Sequence, residues 1–300
     1  MTFCEKFLTL PFANERFMSA VALHIDVREV LRNKVPKYSR WIPGFAVRWL
    51  ARIIHQDELN EILRRIGDKT GVEAARVALD YLGVKIEVRG LEQVPVDGRY
   101  IYVSNHPLGG LDGMALIQLL GDRHQGNIRF LVNDLLMAVK PLAGIFLPVN
   151  KYGRQSREAA VEIERQYAGP NQMITFPAGL CSRKMDDGTI ADLTWSKFIV
   201  THAVAHRRHL VPVYVDAKNS ALFYRMARWR VRLGMKFNVE MILLPHEMLK
   251  LRGTTLRVSV GEPIACDTLD AAYPREETER VRQAVYQLAN LKSSSHETDN

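Results

Sequence analysis

The feature that most constrains the fold is a series of short apolar segments, rich in β-branched and aromatic residues, that alternate with helical patterns after residue 83. Helical patterns over 154–167 and 193–206 separate later members of the series. The strand candidates are 85–90, 99–105, 128–132, 144–149, 172–176, 210–215, 237–243 and 256–260. This alternation predicts an α/β fold, with a central mixed sheet flanked by helices.

The segment before residue 84 has a helical pattern and no strand-like alternation. Apolar residues are mixed with arginines over 40–55, and another amphipathic run begins at Asp57. A last amphipathic helix is predicted over 276–291, and the polar sequence after it is typical of disorder. We therefore expect three regions, which are a helical N-terminal region with membrane-surface contact over 1–83, an α/β domain over 84–292 and a disordered tail over 293–300.

Charge and cysteine usage limit the partners and the compartment. Lys and Arg number 41 against 33 Asp and Glu, a formal charge of +8 that favours anionic partners. Three cysteines without a CxxC pair fit a reducing compartment, and the N-terminus lacks a signal-peptide pattern. The apolar stretch over 135–149 is interrupted and too short to span a membrane. We expect a cytoplasmic protein that lies on the inner face of the cell membrane.

The segment 103–113 places His106 and Asp112 between a strand candidate and a helical run. Pro107 and the Gly-Gly pair that follows it favour a loop that folds Asp112 back toward His106. A carboxylate that orients an imidazole in this way makes a general base. The alternative is a simple turn followed by a helix N-cap, and the segment alone leaves both interpretations open.

This segment resembles the Asn-His-x-x-x-x-Asp motif of the glycerophosphate and lysophosphatidic acid acyltransferase superfamily, with one extra residue in the gap. Three further segments resemble that family's later blocks in the expected order, namely 144–151, 176–179 and 210–213. Together they cover about residues 100–215. The sequence Asn-His-Pro-Leu-Gly-Gly-Leu-Asp-Gly, with Val-Asn-Lys after it, is similar in particular to a hemolysin-related bacterial branch. That branch includes acyltransferases assigned to ornithine- and glycine-lipid synthesis.

The resemblance implies an O-acyltransferase of membrane lipid synthesis. It would move a fatty acyl chain from acyl-carrier protein or coenzyme A to a hydroxyl of a lysolipid, either lysophosphatidic acid or a lyso-aminolipid. His106 would be the general base and Asp112 its partner, without an acyl-enzyme. No cofactor is expected beyond the acyl thioester co-substrate. The candidates for substrate contacts are Asn105, Asn150, Lys151, Phe176, Pro177, Gly179, Arg183 and Lys184.

Departures from the family pattern concern the acceptor more than the reaction. Ala178 replaces the Glu of the third block, and Cys181 stands where the family often has Arg, so Arg183 and the lysine after it are plausible replacements. Lys151 offers a point charge in place of the bidentate fork of an Arg. Cys181 lacks a nucleophile-elbow context and is interpreted as a structural thiol. Backbone N–H groups near Gly179 are expected to face the developing oxyanion.

The second notable feature is a basic amphipathic pattern over 222–233. Leu222, Met226, Trp229 and Leu233 share one helix face beside a stripe of arginines. This face suits either core packing or docking on an anionic membrane, and the same two interpretations apply to Trp41, Phe45 and Trp49. Two such segments together favour peripheral membrane attachment.

Other functional classes receive less support. Nucleic-acid binding is not expected, because no recognised binding motif accompanies the charge. A non-catalytic lipid-binding protein of the same fold remains an alternative. His246-Glu247 begins like a zinc motif, but residue 250 is Lys, so no metal is predicted.

Overall fold

The computed structural model describes residues 24–34, 42–149, 156–235 and 238–290 of the 300-residue chain. These residues form two compact units. The first combines the described residues up to 69 with 219–252, and the second combines 70–218 with the described residues from 253 onwards. The predicted domain boundary between residues 83 and 84 follows the change of sequence pattern and stays a prediction. The tail predicted over 293–300 lies outside the described residues.

Helices are found where the sequence pattern predicts them, with bounds that shift by a few residues. Described residues before 84 form helices and no strand, as expected for this region. The α-helices are α1 (Val27–Lys34), α2 (Gly44–Ile53), α3 (Gln56–Ile66), α4 (Gly71–Leu82), α5 (Gly110–Arg123), α6 (Arg157–Ala168), α7 (Phe198–Ala205), α8 (Ala221–Arg232), α9 (Leu244–Lys250) and α10 (Pro274–Gln287).

The strands form one large sheet and one short hairpin. The strands are β1 (Lys85–Arg89), β2 (Tyr100–Ser104), β3 (Ile128–Asn133), β4 (Phe146–Val149), β5 (Gln172–Thr175), β6 (Arg183–Lys184), β7 (Ile190–Ala191), β8 (His209–Asp216) and β9 (Thr255–Val260). Among the described residues the large sheet has seven strands in the order β1-β9-β8-β2-β5-β3-β4. Only the β8–β9 pair in it is antiparallel, so the sheet is mixed, as predicted.

The centre of the sheet is β2, which lies between β8 and β5 and is parallel to both. All five of its residues are buried, as expected for a strand covered on both faces. At one edge of the sheet β1 pairs only with β9, from Lys85 opposite Thr255 to Arg89 opposite Ser259. The loop after β1 is tight, because a Cβ on Gly90 (φ +79°) would overlap the carbonyl oxygen of Val260.

The strand predicted over 237–243 is wrong. Its described part forms a 3-10 helix, Val239–Leu243. Glu240 is fully buried there and forms an ion pair with Arg230 of α8 at 3.2 Å. An apolar run of this length is compatible with either a strand or a buried helical turn. Here the ion pair with Arg230 stabilises the helical turn.

The helix predicted over 193–206 begins only at Phe198. Before it, the Trp195 indole donates to Asp192 at 3.0 Å and the Ser196 N–H donates to the Pro177 carbonyl at 3.1 Å. These hydrogen bonds hold residues 192–197 in an irregular conformation against residues 176–179.

Arg208 is a fully buried cation that closes the end of α6. Its guanidinium donates to the carbonyls of Tyr167 at 2.7 Å, Gly169 at 2.6 Å and Asn171 at 2.8 Å. Burial, with repulsion from Arg99, lowers the pKa of Arg208 to about 10, which leaves the group charged at neutral pH. The positive charge therefore satisfies carbonyl groups that α6 leaves unpaired at its C-terminus.

In the first unit a small apolar cluster forms around Val27 and Leu31 of α1, with residues of α2 packed against it. Among the residues that the structure describes, no helix is both long and apolar enough to cross a membrane.

Candidate active site

The candidate site lies at the carboxyl ends of three adjacent parallel strands. His106 follows β2, Phe176 follows β5, and Lys218 lies two residues beyond β8. Parallel strands bring such loops to one edge of the sheet, the edge at which open α/β folds bind their ligands.

The loop between β2 and α5 brings His106 and Asp112 together. The Nδ1 atom of His106 lies 3.1 Å from Oδ2 of Asp112. Gly109 has φ +92°, a conformation that glycine tolerates and that turns the chain sharply into α5. The two side chains therefore do not follow helical spacing, and the turn residues set their contact.

Asp112 is held on all sides. Its Oδ2 also accepts hydrogen bonds from the N–H groups of Leu108 at 2.9 Å and Gly109 at 3.4 Å, and Oδ1 accepts from Gly113 at 2.9 Å. The carboxylate is fully buried and sits in the first turn of α5, where the helix dipole favours negative charge. This arrangement fixes the carboxylate and, through it, the orientation of the imidazole.

Phe176 covers one face of the imidazole. The two rings stack with centroids 3.9 Å apart and planes 17° apart. The His106 side chain keeps 15% of its surface exposed, so part of the ring remains open to a substrate. Phe176 of the third segment thus forms an aromatic wall beside the imidazole of the first.

Two residues that the sequence did not single out, Ser182 and Asp192, hold the backbone of His106 in place. The Ser182 N–H donates to the His106 carbonyl at 2.7 Å. The buried carboxylate of Asp192 accepts from the His106 N–H at 3.2 Å and from the Ser182 hydroxyl at 2.6 Å. Burial raises the pKa of Asp192 despite these bonds. No sequence signal identifies Asp192, because its 86-residue separation from His106 is closed only by the fold.

The environment of His106 favours its protonated form. Burial lowers the pKa of the ring, but attraction and hydrogen bonding from Asp112 and Cys181 outweigh burial and raise that pKa well above 6.5. Cys181, interpreted from the sequence as a structural thiol, is 1% exposed and is one of the groups that raise the pKa of the imidazole. A strongly basic imidazole accepts a proton readily once it is neutral.

A cavity of about 340 Å³ opens beside this loop. Asn105 and Pro107, the two neighbours of His106, line it, and Lys218 supplies a cation. Asn105 exchanges two hydrogen bonds with the backbone of Val215, at 3.0 and 2.7 Å, so its amide ties β2 to β8. Its predicted contact with substrate stays a prediction.

The remaining predicted substrate contacts are spread along the third block. The Gly179 N–H donates to the Phe176 carbonyl at 2.9 Å and closes a turn, so this N–H does not point at a reacting group. The Pro177 carbonyl accepts from Ser196, and the buried Arg183 guanidinium donates to the Cys181 carbonyl at 2.6 Å. Lys184 is exposed on the β6–β7 hairpin, while Asn150 and Lys151 lie outside the described residues.

The zinc-like pair His246-Glu247 has structural partners. His246 Nδ1 lies 2.8 Å from Nε2 of His55, and the buried Glu247 accepts from the N–H of Ser220 at 2.7 Å. Glu247 therefore supports the start of α8.

Comparison with known proteins matches most of this chain to a family. The profile of the family described as Acyltransferase matches residues 29–295. The chain belongs to the acyltransferase family.

Two curated relatives of this acyltransferase carry the same description. Each is a lyso-glycine lipid O-acyltransferase, one from Bacteroides thetaiotaomicron and one from Phocaeicola vulgatus. Both are 43% identical to this chain over 265 residues, which is 88% of the chain and 97% and 95% of the relatives. The recognition of a bacterial aminolipid branch is thereby confirmed.

Among solved structures, the 1-acyl-sn-glycerophosphate acyltransferase PlsC of Thermotoga maritima is similar at 17% identity, with a TM-score of 0.46. The match covers 82% of the acyltransferase described here and 95% of that chain.

Proposed function

We propose that this acyltransferase moves a fatty acyl chain from a carrier thioester to the hydroxyl of a lyso-aminolipid, with lyso-glycine lipid as the first acceptor to test. The observation that carries the proposal is the His106–Asp112 pair, held in an open loop beside a cavity. The 43% identity to two lyso-glycine lipid O-acyltransferases supports the choice of acceptor.

In the proposed chemistry His106 transfers the proton and Asp112 orients the His106 ring. The ring nitrogen of His106 that does not face Asp112 takes the proton of the acceptor hydroxyl. The hydroxyl oxygen attacks the thioester carbonyl, an ester bond forms, and the carbon–sulfur bond breaks. The imidazolium then gives its proton to the departing thiolate. Asp112 orients the ring and stabilises its charge through the 3.1 Å contact at Nδ1.

Lys218 is the residue proposed to recognise the acceptor headgroup. A glycine headgroup carries a carboxylate, and Lys218 is an exposed cation at the wall of the cavity beside the base. Asp216, two residues earlier, also lines the cavity. A lysine offers a point charge, which suits a single carboxylate as well as a phosphate.

Attachment to an anionic membrane on the inner face of the cell membrane is part of the proposal. Three apolar side chains at the end of α8 and just beyond it are strongly exposed, with Trp229 at 69%, Val231 at 67% and Leu233 at 72%. The face of α8 that packs inward consists instead of Phe223, Tyr224 and Ala227. Exposed aromatics beside arginines suit a lipid–water interface, and this geometry favours docking over core packing for that face.

In the second of the two candidate segments, Phe45 and Trp49 of α2 are 68% and 64% exposed. Trp41 lies outside the described residues.

The experiment that tests the reaction measures transfer from labelled acyl-carrier protein and labelled acyl-coenzyme A to a panel of lysolipids. We expect ester formation on lyso-glycine lipid, and a loss of about 10²–10⁴-fold in His106→Gln. His24→Gln replaces an exposed histidine of the first unit and serves as the matched control. Full activity of His106→Gln, in protein of unchanged circular dichroism, would contradict the assignment of the base.

The acceptor assignment is tested with Lys218→Ala. We expect a rise in KM of about tenfold for lyso-glycine lipid with little change in kcat, because Lys218 would bind the ground state and the transition state alike. Lys85→Ala, which removes an exposed lysine from β1, is the control. A change in kcat without a change in KM would show that Lys218 does not act through the headgroup.

A further inference from the structure

A group of metal-ligating side chains lies outside the residues assigned to acyl transfer. Glu164 belongs to α6, His202 to α7, and His206 directly follows α7. The Nε2 atom of His202 is 2.9 Å from one carboxylate oxygen of Glu164, and the Nε2 atom of His206 is 2.9 Å from the other. One ligand atom from each of the three residues lies within 4.8 Å of the others.

The two imidazoles are positioned before any ligand arrives. Their spacing of four residues places both on the same helix face. The His202 ring stacks on Phe198 with centroids 3.6 Å apart, and Tyr167 packs against both rings at 4.7 and 5.6 Å. The His side chains are only 14% and 17% exposed, whereas Glu164 is 57% exposed. Packed imidazoles thus face an exposed carboxylate at the surface.

The contact on the far side of His202 favours one tautomer of its ring. Nδ1 lies 3.1 Å from the carbonyl oxygen of Phe198, which can only accept, and 3.4 Å from the Thr201 hydroxyl, so the shorter contact favours the tautomer with the hydrogen on Nδ1. A neutral ring then presents a lone pair from Nε2 to the carboxylate oxygen 2.9 Å away. Two lone pairs at that distance require a positive species between them, either a proton or a metal ion. Metal-ligating histidines commonly donate their other N–H to a backbone carbonyl in this way.

The donor set selects the kind of ion. Two imidazole nitrogens and one carboxylate oxygen suit zinc and similar divalent transition metals. Ligand atoms about 2.0–2.1 Å from a tetrahedral zinc ion are about 3.3 Å apart. The Glu164 oxygens lie 2.9 Å from the two imidazole nitrogens, and the three ligand atoms lie within 4.8 Å of one another, so the side chains must adjust by no more than about 1.5 Å to reach that spacing.

We propose that Glu164, His202 and His206 form a zinc site that ties α6 to α7, with the fourth ligand position open to water. The site is structural in this proposal. It takes no part in acyl transfer, and its test does not depend on activity. The four-residue spacing of His202 and His206 is visible in the sequence and is typical of two ligands on one helix face. Glu164 lies 38 residues before His202, so only the fold reveals it as a third ligand.

The test titrates metal-free protein with Co²⁺, a spectroscopic substitute for zinc, and then displaces Co²⁺ with Zn²⁺. We expect one equivalent of Co²⁺ to give the intense visible absorption of a tetrahedral N/O site, Zn²⁺ to remove that absorption, and Zn²⁺ to raise the Tm. Glu164→Gln, an exposed change that spares the packed rings, should weaken Zn²⁺ binding at least about tenfold. Glu162→Gln, which removes a carboxylate from the same helix, should leave binding unchanged.

Three results would overturn the proposal. The first is a wild-type protein that binds neither metal, which would leave a proton between the rings and Glu164. The second is an octahedral cobalt spectrum. The third is binding that survives both Glu164→Gln and His206→Ala, since the ion would then reside elsewhere, for example at a cysteine.

Discussion

Asp112→Asn tests the proposed base more sharply than removal of His106, because it changes charge and keeps shape. The carboxylate accepts from His106 Nδ1 and two backbone N–H groups through Oδ2, and from Gly113 through Oδ1. An asparagine has a single oxygen. In either orientation its NH₂ group faces at least one N–H donor in a fully buried pocket.

The size of the effect follows from these bonds. General-base catalysis contributes about 10²–10⁴-fold, and a misoriented imidazole of the wrong tautomer loses most of it, so the barrier should rise by about 3–5 kcal/mol. The lost hydrogen bonds to a charged group, together with the buried donor conflict, should lower the free energy of unfolding by about 2–4 kcal/mol. Rates are therefore compared well below the Tm of the variant.

The pH profile separates catalysis from simple damage. In the wild type, Asp112 and Cys181 outweigh burial and raise the pKa of His106 above 6.5, so kcat/KM should rise with pH through that raised value as the ring becomes neutral. Without the charge of Asp112, burial gains relative weight and the pKa of His106 falls. The half-maximal rate of Asp112→Asn should move to lower pH while its plateau falls.

The assay records initial rates of transfer from about pH 5.5 to 9.5 for the wild type, Asp112→Asn and the control Asp122→Asn. Asp122 lies on the same helix, is 48% exposed and pairs with Arg76 at the surface, so its variant should match the wild type within about twofold. An Asp112→Asn profile that keeps the wild-type midpoint, or a plateau within about threefold of wild type, would refute the role of Asp112.

Three further predictions concern stability and membranes. Gly90→Ala should lower the free energy of unfolding by about 3–5 kcal/mol in chemical denaturation. Gly126 has the same φ of +79° but lies in open space, so Gly126→Ala should lower it by only about 1–2 kcal/mol. Equal losses would argue against the backbone overlap at Gly90. Trp229→Ser should weaken sedimentation with anionic vesicles by about tenfold and should weaken the binding to neutral vesicles as well, because it removes apolar area and no charge. Unchanged sedimentation would show that the 69% exposed ring does not enter the membrane. Burial, with repulsion from Arg123, lowers the pKa of His124 from 6.5 to about 4, so native stability should fall as pH falls from about 6.5 to about 4. His124→Gln should flatten that part of a curve of Tm against pH. An unchanged slope would rule out His124 as its cause.

Local chemistry explains which parts of this molecule could be predicted. The His106–Asp112 contact depends on a proline and glycines within seven residues, so the sequence suggested it while leaving a simple turn and N-cap open. The strands that carry the site were found because β-branched and aromatic runs ended at turn residues. The stacking of Phe176 on His106 follows from adjacent parallel strands, once the order of the sheet is known.

Other parts depend on tertiary contacts that no local pattern encodes. Glu240 looks like one polar residue in an apolar run, and its buried pairing with Arg230 becomes visible only in the fold. Asp192 and Glu164 each meet their partners across separations of 86 and 38 residues. The amphipathic helix predicted over 222–233 is present as α8. The sequence pattern did not show which face packs inward, and in the structure that face contains Phe223.

During synthesis of the chain, β1 cannot pair until β9 has been made. The partners are 170 residues apart, as for Glu87 and Arg257, and a ribosome needs about 10–30 seconds to cover that length. Throughout this interval β1 is made but has no neighbour, and a lone strand invites pairing with other nascent chains. Charged side chains alternate along it at Lys85, Glu87 and Arg89, which discourages such pairing until β9 emerges.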